Sequence, residues 1–325
     1  RRDFTIDAMA VPVAVIVAYL TETGNIQQHI TDALLDPLGG LRDLEDRTIR
    51  ACSPTVFRED AGRLLRAVRL AHELSFTIHV QTESAMRENA HLLSSVAAER
   101  TREELLRVLA LPHAAESIRH MDNLGLLVAM MPELDACRNV EQPTSHFWDV
   151  LEHSIQSVAT YEFITRESDW RYGNDEMLDL APNGEEYGIY LAAPVSMEAS
   201  RSTLVKLGCL LHDIAKPQTK TLDDSGRARF LGHPREGATL VNDMLRRLRF
   251  STQEINYVET LACHHLRPAQ MSAEAMPTRR AVYRFFRDTG SAGIGVLYLA
   301  MADYLACRGP LFTMGEWRGL CELVR

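Results

Sequence analysis

The sequence predicts a mainly α-helical protein preceded by a small mixed α/β piece, and three observations predict it. From Thr55 to about Leu134, and again from His146 onward, apolar residues recur at spacings of three and four, as on amphipathic helices. Earlier, "VPVAVIVAYL" is valine-rich, and Thr23-Gly24 and Gly39-Gly40 supply turn chemistry between short β-prone pieces. No internal repeat, heptad run or low-complexity tract occurs.

The composition is that of an ordinary soluble protein. The chain has 325 residues, 46% hydrophobic and 24% charged, enough core for two or three domains. Its net charge is -9, so any contact with nucleic acid must come from a local patch and not from an overall basic field. Lysine occurs only at Lys206, Lys216 and Lys220, an arginine bias that a GC-rich genome explains as readily as phosphate binding does.

Six cysteines with no CxxC pair, set in apolar helical pattern, read as reduced thiols of an intracellular, cytoplasmic protein. Arg1-Arg2 followed by the 13-residue run Ala8 to Leu20 mimics a twin-arginine export signal. Pro12 interrupts that run, no small-residue cleavage site follows, and a membrane helix needs about 20 apolar residues. No membrane is expected.

Taken in order, residues 1–54 form the α/β piece. Residues 55–140 carry "REDAGRLLRAVRLAHEL", "TESAMRENAHLLSSV" and "ERTREELLRVLAL", each with a helical apolar stripe. Asn139 to Thr144, with Pro143, reads as the junction to a second helical region over residues 141–325. Within it, residues 168–200 are rich in Gly, Pro, Asn and acids without a period and read as an acidic insertion or flexible loop.

Two constellations carry chemistry. In the first, Asp60 and Arg63 stand three apart and would share one helix face, offering acceptors beside donors. That pairing suits cytosine and adenine, each of which shows an exocyclic amine next to a ring-nitrogen acceptor. Glu59 could steady the pair, and Arg66 and Arg69 continue the series toward phosphates. Alone, the same pattern is also that of a solvated helix laced with ion pairs.

The neighbourhood adds to it. "RRDFTIDAMA", "DPLGGLRDLEDRTIR", "REDAGRLLRAVRLAHELSFTI" and "ERTREELLRVL" follow one another from Arg1 to Leu109. This series resembles the successive motifs of bacterial-type tRNA nucleotidyltransferases and their poly(A) polymerase relatives, in the class II branch of the polymerase-beta-like superfamily. The resemblance covers about the first third of the chain. It implies that residues 1–54 are the C-terminal part of a nucleotidyltransferase head, followed by a helical neck that supports the acceptor stem of tRNA. It further implies that Arg2 and Asp3 contact triphosphate and ribose, that Asp60 and Arg63 act as an amino-acid template for CTP and ATP, and that Arg66 and Arg69 lie near the phosphates.

Two departures from the family pattern stand out. Asp7 replaces a usual Asn, and Ala61-Gly62 replaces a Pro-Leu-like pair; a glycine inside a helix costs about 1 kcal/mol relative to alanine. In the family, an upstream Asp-x-Asp pair holds the catalytic Mg, and neither that pair nor its Gly-rich stretch is found in these residues. The expectation is therefore a piece of a longer enzyme, cut at "LCELVR" as well, that does not add nucleotides by itself.

The second constellation is His153, the doublet His212-Asp213, and Asp303. Their order resembles the H…HD…D signature of all-α HD-domain phosphohydrolases, in which such donors hold Mn, Ni, Fe, Mg or Zn. His233 and the pair His264-His265 fall where extended members carry ligands for a second metal, His233 with one of the two later histidines. The remaining histidines match no motif. In some nucleotidyltransferases of the family the HD domain hydrolyses 2′,3′-cyclic phosphates or phosphate monoesters, which would fit repair of RNA ends.

Between Arg227 and Arg287, 11 arginines face 5 acids, the one clearly basic region, which could track a phosphate backbone or be a solvated helical face. The expected function is RNA 3′-end processing by a nucleotidyltransferase carrying an HD domain, with a tRNA or other RNA 3′ end, CTP and ATP as partners. The rivals are an HD phosphodiesterase or phosphatase with a vestigial head, and a non-catalytic RNA-binding protein.

Overall fold

A computed structural model describes residues 36–143, 146–271 and 276–325. Arg2, Asp3, Asp7 and the valine-rich stretch over residues 11–20 lie outside the described residues.

The described chain begins at a capped turn. Both carboxylate oxygens of Asp36 accept backbone N–H groups, from Gly40 at 2.7 Å and Leu41 at 2.9 Å, and so start α1 (Gly40–Glu45). Strand β1 (Thr48–Ile49) follows, then α2 (Val56–Glu59) and α3 (Gly62–Glu73), whose Leu64, Leu65 and Val68 are fully buried. Strand β2 (Thr77–Ile78) returns to pair with β1 in parallel, Thr48 opposite Thr77. Four more helices, α4 (Val80–Asn89), α5 (Ala98–Leu109), α6 (Ala114–Asn123) and α7 (Leu126–Met130), complete the first helical layer.

A 3₁₀ turn over Pro132–Cys137 leads to α8 (Val150–Ile164), capped by the Asp149 side chain accepting from the Glu152 amide at 2.8 Å. The acidic segment 168–200 is not a loose loop, as its composition suggested. It folds into α9 (Asp175–Leu180) and α10 (Glu185–Ala192), anchored by buried Trp170, Met177 and Leu191. Its few apolar residues carry the packing, and they are too sparse to register as a period.

Next come α11 (Arg201–Leu211), α12 (Lys216–Thr219), and an antiparallel hairpin of β3 (Lys220–Leu222) with β4 (Ala228–Phe230). The chain closes with α13 (His233–Arg247), α14 (Thr252–His264), α15 (Arg267–Met271), α16 (Arg279–Thr289), α17 (Gly293–Arg308) and α18 (Met314–Val324). Segment Arg279–Leu311 is long and apolar enough by composition to cross a membrane. Here it is broken into α16, a 3₁₀ turn and α17, and α17 is a core helix with Val296, Leu299, Met301 and Leu305 fully buried.

Helices α8, α11, α14 and α17 surround the centre. A Cβ on Gly208 would stand 2.6 Å from Leu261, and one on Gly295 would stand 2.6 Å from the Tyr257 hydroxyl, so both positions need glycine for these helices to close. Every residue of α11 from Thr203 to Leu211 is buried, which places Lys206 inside the protein. Its ammonium meets Glu162 of α8 at 2.9 Å and Glu167 at 2.5 Å, and donates to the Leu111 carbonyl at 2.8 Å. Glu162 in turn accepts the amides of Ala114 at 2.6 Å and Ala115 at 3.2 Å, satisfying the first turn of α6.

One buried ion pair thus ties α8 and α11 to each other and to the first helical layer, and the apolar core runs without a break across residues 139–149. Removing one partner of such a pair leaves the other charge buried without compensation. Lys206→Met should cost about 3–5 kcal/mol in urea unfolding, whereas Lys220→Met, on an exposed strand, should change stability by no more than about 0.5 kcal/mol.

Candidate metal centre

Helices α8 and α11 run antiparallel, with Glu162 and Lys206 meeting at one end and His153 and His212 at the other. His153 lies in the first turn of α8, and His212 caps the C-terminus of α11 with Asp213 directly after it. Asp303 reaches in from α17. His153 Nε2 stands 3.2 Å from His212 Nε2, 3.3 Å from Asp213 Oδ2 and 3.1 Å from Asp303 Oδ1. His212 Nε2 is 3.2 Å from Asp213 Oδ2 and 3.7 Å from Asp303 Oδ1.

The other Asp213 oxygen faces a second group. Its Oδ1 is 3.2 Å from His233 Nε2 and 3.7 Å from His265 Nε2, and those two nitrogens are 3.3 Å apart. Gly232, with φ of 84°, makes the left-handed turn that delivers His233 as the first residue of α13. His265 caps the C-terminus of α14. Of the seven expected donors the structure brings six together; His264 turns away, 3.5 Å from Arg267. Adjacent residues near a helix end face different directions, so the His-His doublet had to split, and only its second member points inward.

The backbone sets the histidine tautomers. His212 Nδ1 lies 2.9 Å from the Cys209 carbonyl, His233 Nδ1 2.7 Å from that of Phe230, and His265 Nδ1 2.7 Å from that of Ala262. Each Nδ1 therefore donates, and each Nε2 lone pair is left facing the cluster, the arrangement of a metal-ligating histidine with its supporting acceptor. Both Asp213 oxygens are buried without a well-formed hydrogen bond.

These observations fit divalent cations. Ligand atoms at about 2.1 Å around one ion are themselves about 3.0–3.4 Å apart, close to the spacings seen here. Two helix C-termini, those of α11 and α14, also turn their partial negative charge toward the cluster. Burial acts to raise the Asp213 carboxyl, yet His212 and Lys216 outweigh it and hold it well below the usual range. Burial pushes His265 down to about 3, with His212 adding to the effect, which keeps it in the neutral form that ligates.

Sequence reasoning missed two parts of this cleft, Lys216 and His146, and placed a third only within a broad basic region. Lys216 places its ammonium 2.5 Å from Asp213 and is one of three lysines in the chain, a rarity that could have marked it. His146 lies 3.5 Å from Lys216, its ring centroid 5.7 Å from that of His153, and burial pushes it down to about 3. Arg227 and Arg229 of the β3–β4 hairpin line the mouth beside Phe230.

The first constellation differs from expectation in detail. Asp60 is not on a helix with Arg63 but sits in extended conformation between α2 and α3, φ -149° and ψ 99°. Its Oδ1 accepts the Gly62 amide at 3.0 Å, and Arg100 donates to both of its oxygens at 3.0 and 2.9 Å. The Arg100 hydrogen bond holds the Asp60 carboxyl below its ordinary value, against the effect of burial. A Cβ on Gly62 would lie 2.8 Å from Arg100, so the glycine opens α3 and makes room for that contact; it is not a weak point inside the helix.

Arg63 keeps its Nε 3.8 Å from Asp60. The Nε atoms of Arg63 and Arg66 are buried with no hydrogen-bond partner among the described residues, and both side chains line a cavity with Ile49, Ala51 and Phe57. Arg69 does not face that cavity. Its buried guanidinium is neutralised by Glu73 and by Glu104 at 2.7 Å, which removes it from the expected phosphate role.

Comparisons with known proteins agree with both halves. A family model described as "Probable RNA and SrmB- binding site of polymerase A" matches residues 75–138, and one described as "HD domain" matches residues 174–306. The chain is 33% identical over 316 residues to an A-adding tRNA nucleotidyltransferase of Deinococcus radiodurans, covering 95% of this chain and 60% of that protein. It is 30% identical to a CC-adding tRNA nucleotidyltransferase of Thermus thermophilus, covering 82% of this chain and 54% of the relative. The chain thus spans little more than half the length of these relatives. Among solved structures, the Thermotoga maritima CCA-adding enzyme complexed with tRNA superposes at a TM-score of 0.50 and 17% identity over 89% of this chain and 53% of that one. A tRNA-processing enzyme complex superposes at 0.51 and 18% over 82% and 56%. At such identity these two likenesses concern the fold alone.

Proposed function

Because the chain belongs to the bacterial-type tRNA nucleotidyltransferase and poly(A) polymerase family, in the branch that carries an HD domain, we propose that it is the nucleotide-selecting and RNA-supporting part of an RNA 3′-end nucleotidyltransferase, working in the cytoplasm. The observation that carries this reading is the 33% identity sustained over 95% of the chain to an A-adding tRNA nucleotidyltransferase.

The proposed division of labour follows from the residues. Arg100 and the Gly62 amide hold the Asp60 carboxylate in place, leaving lone pairs to accept the exocyclic amine of cytosine or adenine. Arg63, its Nε unpartnered, supplies the donor for the ring nitrogen beside that amine. UTP and GTP present a carbonyl where CTP and ATP present the amine, and a carboxylate there would face an oxygen. Arg66, also unpartnered at Nε, lies along the same cavity wall and suits a phosphate or ribose oxygen. The helices over residues 75–138 would support the acceptor stem of tRNA. In an enzyme joining this chain to a catalytic head with an Asp-x-Asp pair and its Mg, Asp60→Ala should erode discrimination of CTP and ATP from UTP and GTP by about 10–100-fold in a competition assay. Unchanged preference would contradict the assignment.

The six-donor cluster favours a second activity in the same chain, metal-dependent phosphoester hydrolysis. His153, His212, Asp213 and Asp303 would hold one divalent cation such as Mn, Ni, Fe or Mg, and Asp213, His233 and His265 a second. Such cations polarise a phosphoryl oxygen and activate water. Arg227 at the mouth of the cleft, beside Lys216 and Arg229 that are paired with Asp213 and Asp223, is suited to the phosphate of an RNA end. With Mn or Ni added, the chain should hydrolyse a nucleoside 2′,3′-cyclic phosphate. His212→Ala should abolish that activity, His265→Ala should lower it about 100-fold, and His264→Ala should leave it within about twofold. Tightly held cations with no hydrolysis would contradict this activity.

A further inference from the structure

We propose that the outward face of α16 is a contact surface for single-stranded RNA, separate from the metal cleft; the proposal rests on the RNA-processing reading above. At about 100° per residue, Arg279, Arg280, Tyr283, Arg284 and Arg287 fall along the side of the helix away from Phe285 and Thr289, the two residues it buries, and Phe286 lies at the edge of that face. Tyr283 is 68% exposed and Phe286 41%, two aromatic rings one turn apart in water on a single short helix. Aromatic rings exposed side by side offer stacking faces to a ligand.

The charge of this face says what covers it. The protein carries a net charge of -9, yet α16 holds four arginines and one acid, Asp288. That acid is already shared, 2.7 Å from Arg287 and 3.1 Å from Arg267. Arg279, Arg280 and Arg284 have no ion pair among the described residues. Exposed guanidinium groups interleaved with aromatic faces fit a strand that offers phosphates and unstacked bases together. A duplex hides its base faces, and a second copy docked through the same helix would set arginines against arginines.

The location is consistent. Arg267 connects Asp288 of α16 to His264, the outward-turned neighbour of the cluster residue His265. At its C-terminal end Arg287 also lines a polar cleft with Gln253, Asn256 and Thr260, side chains able to read a base edge.

Fluorescence anisotropy of the protein with a labelled RNA dodecanucleotide, unstructured or annealed to its complement, tests this. Tyr283→Ala with Phe286→Ala should weaken single-strand binding about 30-fold or more and duplex binding by no more than about threefold. Arg279→Gln, Arg280→Gln and Arg284→Gln together should reduce the slope of log affinity against log salt by about 2. All these positions are exposed, and circular dichroism melting of both variants checks the fold. If the unsubstituted protein binds RNA and neither variant changes it, the surface is overturned while the RNA reading stands; if it binds no RNA, both fall. Binding to vesicles of anionic phospholipid without RNA binding, or self-association abolished by the aromatic substitutions, would likewise overturn the proposal.

Discussion

The buried contact between Lys206 and Glu162 is the constraint on which the rest of the molecule depends. It sits where α8 and α11 cross at one end, and the same two helices carry His153 and His212 at the other. A fully buried ammonium is tolerated only with compensation from every side. Here the compensation comes from Glu162, Glu167 and the Leu111 carbonyl, the last contributed by the first helical layer. Because Glu162 also satisfies the first amides of α6, the helical layer that follows the Arg63–Arg66 cavity cannot shift without exposing uncompensated charge in the core. The Asp60 region and the His-Asp cluster are thereby built on one frame.

At the far end of that frame the problem is reversed, with an excess of lone pairs. Asp213 and Asp303 stand among four imidazole nitrogens, three of them locked as acceptors by their own backbone contacts. Burial acts to keep His212 neutral, yet the two carboxylates outweigh it and push it up to about 10. Cations and protons therefore compete for the same cavity, as at any site whose ligands must be deprotonated. Asp213 addresses both groups, one oxygen to each.

Much of this was legible in the sequence, for physical reasons. Helices with a clear apolar stripe, such as α3 and α5, announce themselves because one face is wet. The doublet in "GCLLHDIAK" was legible because a His-Asp pair directly after an apolar helical run has few other uses. Illegible were features set by distant partners. Asp60 lies between helices because Arg100, forty residues on, and the Gly62 amide hold it there. Arg69 is drawn to Glu104 instead of a phosphate. The choice of His265 over His264 depends on how α14 is rolled against α13, which no local pattern encodes. Segment 168–200 has too few apolar residues to show a period, yet Trp170, Met177 and Leu191 are placed to pack.

The central proposal is two cation sites sharing Asp213. Anomalous diffraction from crystals grown with Mn tests that claim most directly. The prediction is two peaks about 3.5–4 Å apart, one among His153, His212 and Asp303 and the other between His233 and His265, with Asp213 between them. No peak in the cluster, or a site that recruits His264 in place of His265, would contradict it.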